Sequence, residues 1–321
     1  MKIFFLGWTA QYERRMIDYL STRHSVRLMV FPSAAKRMGR YIKSINKRLR
    51  HPRVGSGWLG KLVLSVNGVG HDDILVCNEG QVKRCLIPSV IATFPGKKVL
   101  LMRDLVDADF VREMHRHFDR IYSFDKDQCA AFGMEYMEQF FPFGFHETQG
   151  LADAATANEY APKCFFLGQD KGRVTTIEAM AQALEDEGAN VDFAIVRDST
   201  SKDRSRFHID KVLTYDDNIR RSLAADVLLE VNQAGQSGLT LRALEAAFFN
   251  KKLITTNESI KALDFYRPEN IYVTVDGSLP GIGSFLRTES VKVDRDVLYR
   301  YTPDRMLERI IEDVGAMREA R

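Results

Sequence analysis

CFFLGQDKGRVTTIEAM, residues 164 to 180, runs from an apolar strand through a short charged loop into an amphipathic helix. The strand ends at Gly168, the loop holds Lys171, Gly172 and Arg173, and apolar residues then recur at helical spacing. A strand feeding a helix through so short a loop is the building unit of an α/β fold. The rhythm extends outward in both directions. IFFLG, VRLMV, DILVC, KVLLM and RIYSF read as strands before it, with helical stretches such as AQYERRMIDYL and ADFVREMHRHF between them. CFFLG itself is followed by VDFAIV, DVLLEV, KLITT and NIYVTV, separated by VTTIEAMAQALEDEG and LTLRALEAAFF. The alternation predicts parallel strands with crossover helices. Between the two series, MEYMEQFFPFGFHETQGLADAATANEYAP has no clear period and reads as a linker.

At 321 residues the chain exceeds what one core usually serves, and about 150 residues per domain implies two domains. The expected division is an N-terminal domain over 1–145, a linker over 146–160 and a C-terminal domain over 161–321. The last includes a terminal helix with Thr302 before Pro303 at its first turn. A content of 45% hydrophobic and 28% charged residues is that of an ordinary globular chain. The net charge of +3 is too small to imply a nucleic-acid partner, so a basic site must come from clustering. Cys77, Cys85, Cys129 and Cys164 never fall two residues apart and have no His at metal-finger spacing. Neither a zinc site nor a disulfide framework is indicated, and a reducing cytoplasm fits. The opening IFFLGW is too short for an export signal, and no apolar run reaches the roughly 20 residues needed to cross a bilayer. From Lys36 to Arg53, KRMGRYIKSINKRLRHPR has eight Lys or Arg and no acid, with Met38, Tyr41, Ile42, Ile45 and Leu49 at helical spacing. Such a helix suits peripheral contact with an anionic membrane at the inner face of the plasma membrane, or a phosphorylated glycolipid. It equally fits a crossover helix whose apolar stripe packs on a sheet. No nucleic-acid motif accompanies it, and no nucleic-acid partner is expected.

Ligands of open α/β sheets bind beyond the carboxyl ends of the strands, where helix N-termini converge. The corner with Gly168, Lys171, Gly172 and Arg173 combines backbone N–H groups, a helix dipole and two cations, which favours an anion. A solvated loop with Gly172 as its turn fits the same residues. Neither the six-residue dinucleotide glycine pattern nor the Walker lysine pattern is present. A second corner lies in GQSGLTLRALEAAFFNKKLITTN, residues 235 to 257. Its Gly/Ser loop lets the backbone approach a ligand, and the amides of Ser237, Gly238, Leu239 and Thr240 suit a phosphate. Arg242 and Glu245 stand one turn apart on an otherwise apolar helix. Charges there need partners, supplied by each other or by a ligand cleft.

These patches resemble GT-B glycosyltransferases, particularly bacterial capsule and lipopolysaccharide biosynthesis transferases and the spore-maturation glycosyltransferase-like group. Residues 235 to 257, with Arg242, Glu245 and Ala246 followed by KKLITTN, are similar to their donor-site segment. FLGQDKGR is similar to their entry into the second domain, and RIYSFDKDQCAAFG to the close of their first. The resemblance implies two Rossmann-like domains facing a central cleft. It implies a nucleotide-diphosphate sugar bound as substrate, mainly by the C-terminal domain, and an acceptor bound mainly by the N-terminal one, with no cofactor. Gly168 to Arg173 and the amides from Ser237 onward would meet the diphosphate. Glu245 would accept the ribose hydroxyls, and Arg242 would stand near the phosphates or hold Glu245. Many retaining members have another Glu eight residues before the ribose Glu; Ser237 occupies that place here, which leaves the stereochemical outcome open.

The expected activity is transfer of a sugar to a cell-envelope glycan or glycolipid, in capsule or lipopolysaccharide biosynthesis. An inverting enzyme needs a general base. Glu79 after DILVC and Asp104 after KVLLM stand at the right strand ends, although each also fits an N-cap or loop carboxylate; His146 is a third candidate. Asp107 with Asp109 and Asp125 with Asp127 have the spacing of a metal-holding pair but read better as helix caps and first-turn acids, so metal independence is expected. Two alternatives stay open: a nucleotide-sugar epimerase of the same fold, and a non-catalytic sugar-nucleotide or glycan-binding protein.

Overall fold

A computed structural model describes residues 1–48, 55–85, 87–153, 161–202, 204–233 and 238–319. The chain forms two compact units, one of Met1–Glu138 with Leu307–Arg321, the other of Gln139–Met306.

The first unit carries strands β1 (Ile3–Leu6), β2 (Val26–Leu28), β3 (Ile74–Asn78), β4 (Lys97–Leu101), β5 (Arg120–Ser123) and β6 (Glu135–Tyr136). Its helices are α1 (Gln11–Ser21), α2 (Ser33–Arg48), α3 (Gly57–Val66), α4 (Glu79–Arg84), α5 (Ser89–Thr93), α6 (Ala108–Met114) and α7 (Lys126–Phe132). The second unit carries α8 (Phe145–Asp153), β7 (Lys163–Gln169), α9 (Val174–Asp186), β8 (Asn190–Val196), β9 (His208–Ile209), α10 (Tyr215–Leu223), β10 (Val227–Glu230) and α11 (Leu241–Phe248). It continues through β11 (Lys252–Thr255), a 3-10 turn (Glu258–Ala262), β12 (Ile271–Val273), α12 (Ile282–Arg287) and α13 (Arg295–Tyr299). The last helix, α14 (Pro303–Glu319), returns to the first unit from Leu307 on.

Both sheets are parallel throughout, with orders β2-β1-β3-β4-β5-β6 and β12-β11-β10-β7-β8-β9. Each order reverses once, between β1 and β3 in the first unit and between β7 and β10 in the second. Crevices at such reversals are where open α/β sheets hold ligands. The central strands are buried on both faces, as a sheet covered by helices on both sides requires. In the second unit Phe165 and Leu228 enter one layer with Ala243, Leu244 and Phe248 of α11. Their neighbours Cys164, Phe166, Val227 and Leu229 enter the other with Ile177, Met180 and Leu184 of α9. The two-residue strand period thus divides one apolar run between two cores.

The helix boundaries follow local chemistry. Asp107 accepts a 2.8 Å hydrogen bond from the Phe110 amide and Asp125 a 2.9 Å bond from that of Gln128, so both act as N-caps, and Asp109 pairs with Arg112. Gly133, at φ 69°, closes α7 in the left-handed region.

The observed boundaries differ from the expected 1–145, 146–160 and 161–321. Phe141 and Phe143 stack at 5.1 Å and Phe141 stacks on Phe248 at 4.9 Å, so this supposed linker region begins inside the core of the second unit. Aromatic residues two apart lack helical period, yet they fill one layer. Part of the expected linker is helical, as α8; residues 154–160 lie outside the described set. The terminal helix belongs to the first unit, where the Tyr122 hydroxyl donates to Asp313 at 2.6 Å. Among the described residues no helix is long and apolar enough to cross a membrane.

Candidate functional site

The two corners expected to hold an anion lie side by side, because β7 and β10 are paired neighbours whose carboxyl ends share one edge. At the first, Lys171 (φ 47°) and Gly172 (φ 74°) turn the chain through the left-handed region. Gly172 meets that need without strain; Lys171 does not, and strain of this kind gathers at ligand sites. The Lys171 N–H donates to Asp198 at 2.9 Å, while the residue as a whole is exposed. Beneath the turn, Asp170 is fully buried and accepts from Ser201 Oγ at 2.6 Å and His208 Nε2 at 3.2 Å. The Ser205 amide donates to His208 Nδ1, which places the ring proton on Nε2. Burial pushes the Asp170 carboxyl upward, but the Ser201 and His208 hydrogen bonds outweigh it and hold it below the ordinary carboxylate range.

Arg173 does not reach outward with a free fork. It donates to the carbonyls of Asp170, Gln169 and Val231, and so ties the β7 corner to the end of β10. Gly168 lies inside β7 rather than in the loop; a Cβ there would meet the Phe166 ring at 3.0 Å and Arg173 at 3.5 Å. In this arrangement both residues shape the corner expected to meet the diphosphate.

At the second corner Gly238 and Leu239 are buried and Thr240 caps α11, accepting from the Arg242 amide at 3.1 Å. The expected amide of Ser237 lies outside the described residues, as does Gly235. Thr240 and Thr255 both donate to Glu230, a fully enclosed carboxylate at the end of β10. Burial pushes the Glu230 carboxyl up, against the pull of its two hydroxyl donors and the cations Arg242 and Arg173.

The charged pair on α11 faces neither bulk water nor an open crevice. Arg242 donates to Glu245 at 2.7 Å, Ser222 at 3.0 Å, Asn218 at 3.0 Å and the Leu167 carbonyl at 3.1 Å, with its guanidinium 5.0 Å from the Phe165 ring centre. Glu245 also accepts from Asn218 at 2.7 Å and Ser222 at 3.1 Å. Their side chains retain 12% and 3% exposure. With three protein donors on its carboxylate, Glu245 is a strut between α11 and α10, which leaves it little capacity for the ribose hydroxyls expected of it. Arg242 holds Glu245, one of the two roles expected of it.

The first unit has its own cluster at the β1/β3 reversal. Gly7 (φ 85°) admits the Gln81 side chain, which would lie 1.9 Å from any Cβ there. Asn78 caps α4 through the Gln81 amide at 2.8 Å and donates to Glu13 at 3.2 Å. Glu79 is 6% exposed and accepts from the Arg103 amide at 2.8 Å; Arg103 itself lies 5.9 Å from the Trp8 ring and 6.0 Å from that of Tyr12. Burial raises the Glu79 carboxyl above its usual value, opposed by the Arg103 and Glu79 amides and assisted by the charge of Asp104. The structure therefore brings Glu79 and exposed Asp104 to one edge, whereas His146 lies on α8 in the second unit.

No protein-family model and no curated protein matches the sequence. The chain is similar in structure to sucrose-phosphate synthase from Thermosynechococcus elongatus, with a TM-score of 0.60, 9% identity and coverage of 100% of both chains. It is similar to α,α-trehalose 6-phosphate synthase from Burkholderia multivorans, with a TM-score of 0.59 and 10% identity over 99% of this chain and 97% of that one. The UDP-forming α,α-trehalose-phosphate synthase from Burkholderia xenovorans, in complex with glucose-6-phosphate, matches at 0.56 and 13% identity over 81% and 76%. The fold is GT-B.

Within this GT-B chain, sequence reasoning passed over Glu230, Asp170 and His208. A signal for Glu230 existed: DVLLEV places one carboxylate at the end of a fully apolar strand, where burial demands partners. Nothing local announced that Ser201 and His208 would close on Asp170, since the contacts span 31 and 38 residues.

Proposed function

We propose that this chain is a glycosyltransferase that takes a nucleotide-diphosphate sugar as donor and passes the sugar to a cell-envelope glycan or glycolipid. The single observation that carries the reading is the pair of strand-to-helix corners at the β7/β10 reversal, one of them carrying an exposed lysine on strained backbone. Lys171, the α9 N-terminus and the backbone at Gly172 and Gly238 to Thr240 are the proposed diphosphate contacts; Arg173, Arg242, Glu245 and Glu230 position them. As the glycosidic bond to the donor breaks, negative charge grows on the departing diphosphate, and a fixed cation and oriented amides stabilise it. Glu79 is the proposed general base for the acceptor hydroxyl, with Asp104 beside it. Its burial lifts it towards the operating pH, which suits that task. No metal enters the proposal.

Calorimetric titration with UDP, GDP, CMP and ADP and their sugars tests the donor site. One of these nucleotide families should bind, and Lys171→Ala should weaken it roughly tenfold or more, the worth of one charge-assisted hydrogen bond. A folded protein that binds none of them would refute the reading. Turnover of the bound donor in the absence of acceptor would favour the epimerase.

A further inference from the structure

Helix α2 divides its apolar residues between two faces. Ala35, Gly39 and Ile42 are buried, while Met38 and Tyr41 are exposed at 42% and 64%. Of the core-facing stripe expected from spacing, Ile42 is buried and Met38 and Tyr41 are exposed, while Leu49, like Arg50 and Arg53 of the basic run, lies outside the described residues. The same helix carries Lys36, Arg37, Arg40, Lys43, Lys47 and Arg48 and no carboxylate. Neighbouring α3 presents a second row, Trp58, Leu62 and Val66, each one turn beyond the last and exposed at 54%, 47% and 59%. Lys61 stands among them, again without an acid. Val30, 61% exposed, extends that row: the Asn67 side chain at the end of α3 bonds its N–H and C=O at 2.9 and 2.8 Å.

We propose that this α2–α3 face docks on an anionic lipid bilayer. Trp58, Leu62, Val66, Met38 and Tyr41 would enter the headgroup region while the α2 cations meet lipid phosphates. Exposed apolar rows rimmed by charge mark interaction surfaces in general. Charge selects the occupant here, because cations unrelieved by any acid on either helix complement a plane of anions. Trp and Tyr are also the side chains that settle at membrane–water interfaces. The inference stands on the first unit alone, independently of the donor site. It makes the membrane the place where an acceptor is met, and a failed donor titration would leave it intact.

The chain has two tryptophans and Trp8 is fully buried, so emission changes on docking report Trp58. Mixed phosphatidylcholine–phosphatidylserine vesicles should co-sediment the protein and shift that emission to the blue, and phosphatidylcholine alone should do neither. Added salt should weaken the binding. Lys43→Gln combined with Lys47→Gln should lower the partition coefficient roughly tenfold or more. Leu62→Ser should lower it severalfold without changing the melting temperature of the free protein, since the side chain is exposed. Equal binding to neutral vesicles, or an unshifted Trp58 on anionic ones, would overturn the proposal. So would a change from dimer to monomer in the free Leu62→Ser protein, which would make the face a self-association surface.

Discussion

Arg242 distributes one planar guanidinium over Glu245, Ser222, Asn218 and Leu167. Such a closed network is worth little against an apolar replacement of equal shape, yet losing one member strands the others in a medium of low dielectric. Glu245→Ala should therefore destabilise the second unit by about 3 kcal/mol or more, read as a fall in the denaturant midpoint. Glu245→Gln keeps the shape and removes the charge, and should also lower stability while leaving nucleotide affinity unchanged. A Glu245→Gln protein of native stability that has lost donor binding would restore the ribose role. The conflict within this helix, ions in an apolar sequence, resolves inside the unit: Asn218 and Ser222, one turn apart on α10, supply what α11 lacks.

At the scale of the element, α14 shows how a helix with good local signals can belong to a distant part of the chain. Leu307, Ile310 and Val314 are buried at helical spacing, so the stripe predicts burial but says nothing of the surface that receives it. Asp313 supplies specificity, accepting from the Tyr122 hydroxyl and from Arg309 at 2.6 Å each. Tyr122 is 1% exposed, and Asp313→Ala would leave its hydroxyl without that acceptor. A loss of about 1–3 kcal/mol is expected, confined to the first unit. Hydrogen exchange that accelerates in β4 and β5 but not in β7 and β10 would bear this out. Helix α2 behaves alike, since its spacing implied one stripe and its packing divides the described members between buried and exposed positions.

For the molecule as a whole, two parallel sheets each offer a reversal point, and the proposal gives them different work. Glu79→Gln should then leave donor affinity unchanged and lower kcat by roughly 10²-fold to 10⁴-fold, the usual range for a general base. Because burial raises the Glu79 carboxyl, the proposed turnover should fall as pH drops through that raised value, at a higher pH than an exposed glutamate would give. The same shift has a stability sign. The folded state holds this proton more tightly than the unfolded state, so the contribution of Glu79 is most favourable below the unfolded value and declines as pH rises through the folded one. A pH–rate profile for Glu79→Gln with the acid limb unmoved would remove Glu79 from the chemistry.

The alternation of apolar runs and amphipathic stretches determined by itself the α/β class, the two units and the placing of Lys171 and Gly172 at a strand-to-helix corner, because strand and helix periods are local properties of a chain. The positions of Glu79 and Asp104 just beyond apolar strands were legible for the same reason. Only the tertiary structure decided which candidate groups keep hydrogen-bonding capacity for a ligand. Arg173 and Glu245 look available in sequence, but their partners Val231 and Asn218 are 58 and 27 residues away. The Asp170 cluster was hidden by contacts spanning 31 and 38 residues, whereas Glu230 showed itself at the end of an apolar strand and only its partners Thr240 and Thr255 were set by the fold. The homes of Phe141, Phe143 and the terminal helix were likewise set by packing across the fold, since burial is satisfied by whichever surface arrives, however far along the chain it was encoded.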